Sequence, residues 1–447
     1  MKIHLKQTGG NVLFATLVTT TLIGFYLASY LTMVRTENQF TQRSGTWNMT
    51  IPVAEAGVEE ALSHLKTIQT NLAFLNRNDW ELVDGRYYTL KRWLSTNEYF
   101  VVGIFPQNPP VIVSEGFSRP SQRTNFVSRT IMVVTRLNIL FPYGMVADKN
   151  MRLNGNNIEV DSFDSSDPKY STNGRYDKSK RKDNGMLVTN SQLTNEFYLG
   201  NAKVWGKIAS GPGGGFEKRP NLTVGNIAWH AGGNKGVQPG AYTDDANVSL
   251  IEIESPITSA LIPPPDLLKN YKYVLGSGDY QISAPFKFEG GNVLVTGKAR
   301  LLVTGDFDFK STITIQTNAS LELYMAGRSA SIGGGGIQNN TGVAANFVYY
   351  GLPSNENFTF AGNGEFTGCI YAPNAVFTLS GGGSGSSDFS GASVTKQVVM
   401  NGQYEFHYDE RLGKFGPNSG YLADSWDEIN YTWEQIRAQK LNANQLQ

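Results

Sequence analysis

Cysteine is almost absent from these 447 residues, and the one thiol, Cys369, excludes an intramolecular disulfide framework and any cysteine-built zinc site. Four histidines, His4, His64, His230 and His407, are too few for a histidine-rich metal centre. Excess charge is missing too: 38 basic residues balance 38 acidic ones, so neither nucleic acid nor acidic lipid is an expected electrostatic partner. Only 17% of residues are charged, while 48 glycines, 21 tyrosines and 24 phenylalanines are present; glycine at turns with aromatics between predicts many short strands. The 40% hydrophobic content allows a sizeable core, and the length allows two or three domains.

Catalytic signatures are also lacking. The glycine runs at 211–215 and 333–336 are not followed by the Lys-Ser/Thr of a phosphate loop, and there is no His-Glu-x-x-His or nucleophile elbow in a strand-to-helix setting. Asp306 and Asp308 share parity with Lys298, Arg300, Lys310 and Glu322, a grouping that could supply an acid, a base or a clamp but reads first as a solvated face. Asp161, Asp164 and Asp167 could offer oxygen ligands to Ca²⁺, without the spacing or terminal Glu of an EF-hand. His407, Asp409 and Glu410 are too close in sequence to share one face of a strand as a set. The expectation is no enzyme and no cofactor.

What the chain does have is one long apolar run. Between Lys6 and Arg35 lie 28 uncharged residues, and 16 of the 23 at positions 12–34 are hydrophobic. As a helix those 23 extend roughly 35 Å, enough to cross a hydrocarbon core of about 30 Å. Val12, Leu13, Phe14, Leu17, Val18, Leu22, Ile23, Phe25, Leu27 and Leu31 build the span. It is longer than the apolar stretch of a cleaved secretory signal; such a signal and a soluble core helix are the competing readings. The flank carrying Lys2 and Lys6 should stay cytoplasmic. Further on, Pro52 followed by Glu55, Glu59 and Glu60 reads as a helix start, and Val58, Leu62, Leu65, Leu72 and Leu75, with Ala61 and Ile68, fall near one helical face. Gly45 and Pro52 predict a break or kink between the halves. Strand-like runs at 99–105, 111–115 and 130–136, with Pro106, Pro109, Pro110 and Pro120 in the turns, predict a small antiparallel sheet covering that face.

The leader Lys2-Ile3-His4-Leu5-Lys6-Gln7-Thr8-Gly9-Gly10 before Asn11-Val12-Leu13-Phe14-Ala15-Thr16-Leu17 resembles the class III signal of type IV pilins and pseudopilins. The resemblance implies cleavage by a prepilin peptidase between Gly10 and Asn11, an inner-membrane anchor, and packing against other pilin or pseudopilin subunits. Major pilins carry Glu where this chain has Ala15, a departure shared with some minor pilins. Ala54-Glu55-Ala56-Gly57-Val58-Glu59-Glu60-Ala61 is similar to the segment after the anchor in PilX-type minor pilins, so the resemblance covers about the first 65 residues.

From Val293 to Met325 side chains alternate: 13 of 17 odd positions are hydrophobic and 3 of 16 even ones. One face is buried and the other wet. Parity kept through Gly297 and Gly305 predicts strands that turn corners, hence a parallel β-solenoid without a strict period; an antiparallel β-sandwich gives the same alternation and stays open. Shorter glycine-punctuated runs lie at 153–160, 199–208, 358–366 and 375–379. The proline-rich 256–266 reads as a stiff connection, 162–185 as an exposed polar loop, and 381–387 as a flexible excursion or tight turn. Gly368-Cys369-Ile370-Tyr371-Ala372-Pro373-Asn374-Ala375, the turn at 381–385 and Phe406-His407-Tyr408-Asp409-Glu410 resemble a β-helical domain of unassigned function that follows pilin-like N-termini, over about 153–412. In the tail, Ser425-Trp426-Asp427-Glu428 has capping-box spacing, and Trp426, Ile429, Trp433 and Ile436 recur at helical intervals.

The fold class expected is thus α+β to mainly β. Its parts are a leader (1–10), a transmembrane helix (11–34), a pilin-like helix with a small sheet (35–145), a solenoid-like domain (146–415) and a tail with a short amphipathic helix (416–447). The expected role is a structural minor subunit of a type IV pilus or related secretion system, its body extracytoplasmic. The alternatives are a membrane-tethered surface adhesin for a glycan or protein, and a solenoid carbohydrate-active enzyme.

Overall fold

The computed structural model describes residues 9–447 apart from 69–74, 76–77, 121–123, 156–157, 268–269, 284–285, 289–290, 363–364, 381–386, 403, 416–419, 442 and 446–447. Most of the leader, Leu72 and the glycine turn at 381–385 therefore lie outside the described residues. The chain is mostly β, with one long N-terminal apolar helix, and divides into two compact units: Met1–Asn138 with Gly420–Gln447, and Ile139–Ser419.

In the first unit, helix α1 (Gly9–Ile68) runs for 60 residues, about 90 Å at 1.5 Å per residue. The break expected at Gly45 and Pro52 does not occur, since Pro52 sits inside the helix. Thr50, Val53 and Ala54 around it are buried, and that packing outweighs the roughly 3 kcal/mol that a mid-helix proline costs. Strands β1 (Trp80–Val83), β2 (Arg86–Thr89), β3 (Arg92–Ser95), β4 (Glu98–Phe105), β5 (Val111–Ser118) and β6 (Val127–Asn138) form an antiparallel sheet in the order β1-β2-β4-β5-β6, with β3 also on β4. The seventh strand, Gly420–Ile429, pairs antiparallel with β6. This corrects the helical reading of Ser425–Glu428. Ladder bonds along the length of β6 outweigh a capping-box spacing, and the helix is confined to Trp433–Ala438, where Thr432 and Gln435 form the box instead.

Each face of this sheet has its own cover. Phe100, Val102, Ile104, Ile112, Ile131 and Val133 pack with α1, whereas Tyr88, Phe105, Val111, Val113 and Met132 pack with Trp433 and Ile436.

The second unit pairs its strands in parallel. Tyr273–Leu275, Val293–Val295, Thr312–Ile315 and Gly336–Asn339 make one ladder. Gly278–Ile282, Lys298–Val303, Ser320–Met325, Phe347–Gly351 and the start of Phe366–Leu379 make a second. Phe286–Phe288, Phe307–Phe309, Ser329–Gly334, Asn357–Gly362 and the end of Phe366–Leu379 make a third. Such uniformly parallel ladders do not accord with the antiparallel sandwich left open by the sequence. The alternation between Val293 and Met325 is realised: each hydrophobic odd position is buried, and of the even ones only Tyr324 is.

The earliest strands of this unit pair with its latest. Ser387–Met400 lies on Phe366–Leu379, and beyond it come β7 (Met145–Ala147) and β8 (Met151–Leu153). Then β9 (Glu159–Phe163) pairs with Tyr404–Asp409, β10 (Gly185–Thr189) with β7, β11 (Phe197–Tyr198) with β8, and β12 (Lys203–Ala209) with both β9 and β10. Six of these, β7, β10, β12, β9, Tyr404–Asp409 and Ser387–Met400, close into a barrel-like circuit that the other strands extend. The chain then crosses to the other end of the ladders along their side: Val248 exchanges hydrogen bonds with the Asn190 side chain, Ile251 with the Tyr371 hydroxyl, and Leu261 bridges Tyr280.

Candidate functional site

Gly10 and Asn11 lie in the first turn of α1. From Val12 to Leu31 the apolar side chains face outward; Val18, at 40%, and Leu13, at 80%, mark the range of exposure among the ten residues expected to build the span. Among the described residues this is the one helix long and apolar enough to cross a membrane. Threonine would be a liability there unless its hydroxyl were satisfied, because lipid offers no partner. Thr16, Thr19, Thr20, Thr21 and Thr32 each donate to the carbonyl four residues earlier, on Val12, Ala15, Thr16, Leu17 and Ala28, so the segment carries its own hydrogen bonds.

The second half of α1 is one-sided. Val53 with Ala54, then Val58, Ala61 and Leu65, are buried, and from Ala54 on they recur every three or four residues. Small residues bring helix and sheet close: a Cβ on Gly116 of β5 would collide with the Thr50 carbonyl and the Ala54 backbone, and one on Gly57 with Ser114 and Phe100. On the sheet's other face, buried Glu115 accepts a hydrogen bond from the Trp433 amide at 2.6 Å. Burial first, then the nearby Glu434 carboxylate, raise its pKa against the lowering of its hydrogen bonds.

In the second unit, three adjacent strands present polar side chains on one outer face. Asp388 lies opposite Glu405, Glu405 opposite Glu159, and His407 opposite Asp161. The loop expected to be exposed, 162–185, folds back over them. Tyr176 stacks on His407 with centroids 3.4 Å apart and donates to Asp161 at 2.7 Å; Lys178 reaches both Glu159 and Glu405 at 3.1 Å; Lys182 pairs with Glu410. Burial, then Asp161, push the Tyr176 hydroxyl far up. Glu159 is desolvated, yet Lys178 and Lys203 bring its pKa below the usual value.

Asp161, Asp164 and Asp167 each have separate partners. Asp161 accepts from His407 Nδ1 at 2.6 Å, Asp164 pairs with Lys414 at 2.8 Å, and Asp167 accepts from the Lys169 amide at 2.9 Å. Asp306 accepts from the Ser329 amide and Asp308 pairs with Lys310 at 3.3 Å, both within the ladder face. Cys369 is buried. The pairing of Asp161 with His407 was not read from the sequence. The two stand 246 residues apart, and only strand register joins them.

Residues 263–415 match a family described as Domain of unknown function (DUF7305); the match begins within the proline-rich connection, well after the residue 153 expected. No curated protein matches the chain. Among solved structures, the crystal structure of the competence-associated pilin ComZ from Thermus thermophilus is similar at 14% identity over 85% of this chain and 96% of that chain, with a TM-score of 0.21.

Proposed function

We propose that this chain is a pilin-like structural subunit, a minor pilin or pseudopilin of a type IV pilus or related secretion system. The continuity of α1 carries the reading: one 60-residue helix is exposed and apolar in its first half and seated on an antiparallel sheet in its second. Residues 11–34 anchor the subunit in the inner membrane, and the same apolar surface packs among other pilin helices once it leaves the lipid. The basic leader before Gly10 keeps that end cytoplasmic and presents Gly10-Asn11 to a prepilin peptidase. The body faces outward.

We read that body as an irregular parallel β-solenoid. Its three ladders support this, as does the partner spacing, 20 residues from Tyr273 to Val293 and 28 from Ser329 to Asn357. The role is structural, with no reaction assigned. N-terminal sequencing of the membrane-extracted chain tests the proposal: a start at Asn11, with the chain present in sheared filament fractions, is expected. A start near residue 35, leaving a secreted product, would sink it.

A further inference from the structure

His407 is fully buried, and its two ring nitrogens have different surroundings. Nδ1 is 2.6 Å from Asp161; an ionised carboxylate only accepts, so Nδ1 carries a proton, and in the neutral ring Nε2 then presents a lone pair, the form that ligates a metal. Tyr176 covers the ring with a 12° interplanar angle, which holds its orientation and keeps water from that side. Nε2 points toward Asp388, 3.9 Å away, too far for a hydrogen bond. Neither Nε2 nor Oδ1 of Asp388 has a hydrogen-bond partner among the described residues, and both atoms are buried. Glu405 completes the group: ligand atoms of Asp388, Glu405 and His407 all lie within 4.8 Å of one another. A neutral ring's lone pair facing two carboxylates is repulsive until a cation, either a proton on Nε2 or a metal ion, lies between them.

We propose that His407 Nε2, Asp388 and Glu405 bind a divalent first-row transition-metal ion, with Asp161 as the carboxylate that orients the imidazole from behind. One imidazole with two carboxylates suits Zn²⁺, Co²⁺ or Mn²⁺, whereas Ca²⁺ and Mg²⁺ take all-oxygen sets. Charge balances locally: the ion's two positive charges match Asp388 and Glu405, and Lys178, which now bridges to Glu405, keeps Glu159 as its partner at 3.1 Å. A tetrahedral ion about 2.0–2.2 Å from each donor draws donors to roughly 3.4 Å of one another, a small closure for the partly exposed side chains of Asp388 and Glu405. The ion would tie Ser387–Met400 to Tyr404–Asp409. The proposal does not depend on the pilin reading.

The test uses the full chain in detergent, stripped with EDTA and titrated with Co²⁺, then Zn²⁺, with Ca²⁺ in a parallel arm. Expected are one Co²⁺ per chain with visible absorbance, its displacement by Zn²⁺, no displacement by Ca²⁺, and at least a tenfold loss of affinity in both His407→Gln and Asp388→Asn. Asp161→Asn should weaken binding about 10–100-fold, as outer-shell partners do. Should His407→Gln fail to fold, Asp388→Asn, at a partly exposed position, decides. No saturable Co²⁺ or Zn²⁺ binding in the wild-type chain, or undiminished binding in Asp388→Asn, overturns the site.

Discussion

The two halves of α1 meet the same demand, removing apolar surface from water, in opposite ways. From Val12 to Leu31 the side chains find no cover among the described residues, while from Val53 to Leu65 a narrow stripe is fully covered by β4, β5 and β6. The first half needs an outside apolar phase; the second brings its own. The difference is written in residue size as much as in polarity. The exposed half is built of large aliphatic and aromatic side chains, and the covered half alternates Ala54, Gly57 and Ala61 with Val58 and Leu65, so that a backbone can approach a sheet.

The largest break in this contrast comes from charge in the first half. Leu22→Arg with Ile23→Arg costs roughly 2.5–3.5 kcal/mol per residue at a helix centre, so retention in alkali-washed membranes should be lost while thermal unfolding of the first unit is unchanged; full retention would contradict an anchor. Leu65→Ala should do the reverse, lowering stability by about 2–5 kcal/mol in denaturant melts and leaving membrane retention intact. Gly116→Ala sharpens the close-approach argument, with an expected loss of roughly 1–3 kcal/mol as the helix is pushed off the sheet; a neutral result would mean the helix shifts freely.

The smallest effect is a pH dependence on the sheet's other face. Glu115 has a folded pKa above the usual 4.5, through burial first and through Glu434, and Tyr99 is also raised, by burial first and then by both carboxylates. The folded chain then holds the Glu115 proton more tightly than the unfolded one, so this group's contribution is most favourable below about pH 4.5 and is lost as pH rises through the raised value. Glu115→Gln should become progressively more stable relative to wild type across that window and level off above it. A difference flat in pH would remove Glu115 as the cause.

Period-two alternation from Val293 to Met325 was legible because burial on one side of a strand is a local property, and the apolar run at 12–34 was legible for the same reason. Pairing partners were not. Gly420–Ile429 finds β6 across a whole unit, and no local signal in Ser425–Glu428 competes with a ladder it cannot see. The ring of His407 meets Asp161 only because two parallel strands share a register, and the loop at 162–185 reads as merely polar because the carboxylates that match Lys178, Arg181 and Lys182 lie on strands and segments elsewhere in the chain. Nor does Pro52 end the helix, its local cost being offset by contacts far along the chain.

The pairing of Gly420–Ile429 with β6 sets a schedule. Ribosomes add roughly 5–20 residues per second, so β6 is finished roughly 15–60 s before its last partner exists, because residues 139–419 are made in between. Throughout that interval the first unit offers a bare strand edge, the kind of template on which chains aggregate. The unfinished sheet therefore has to be protected until its closing strand arrives.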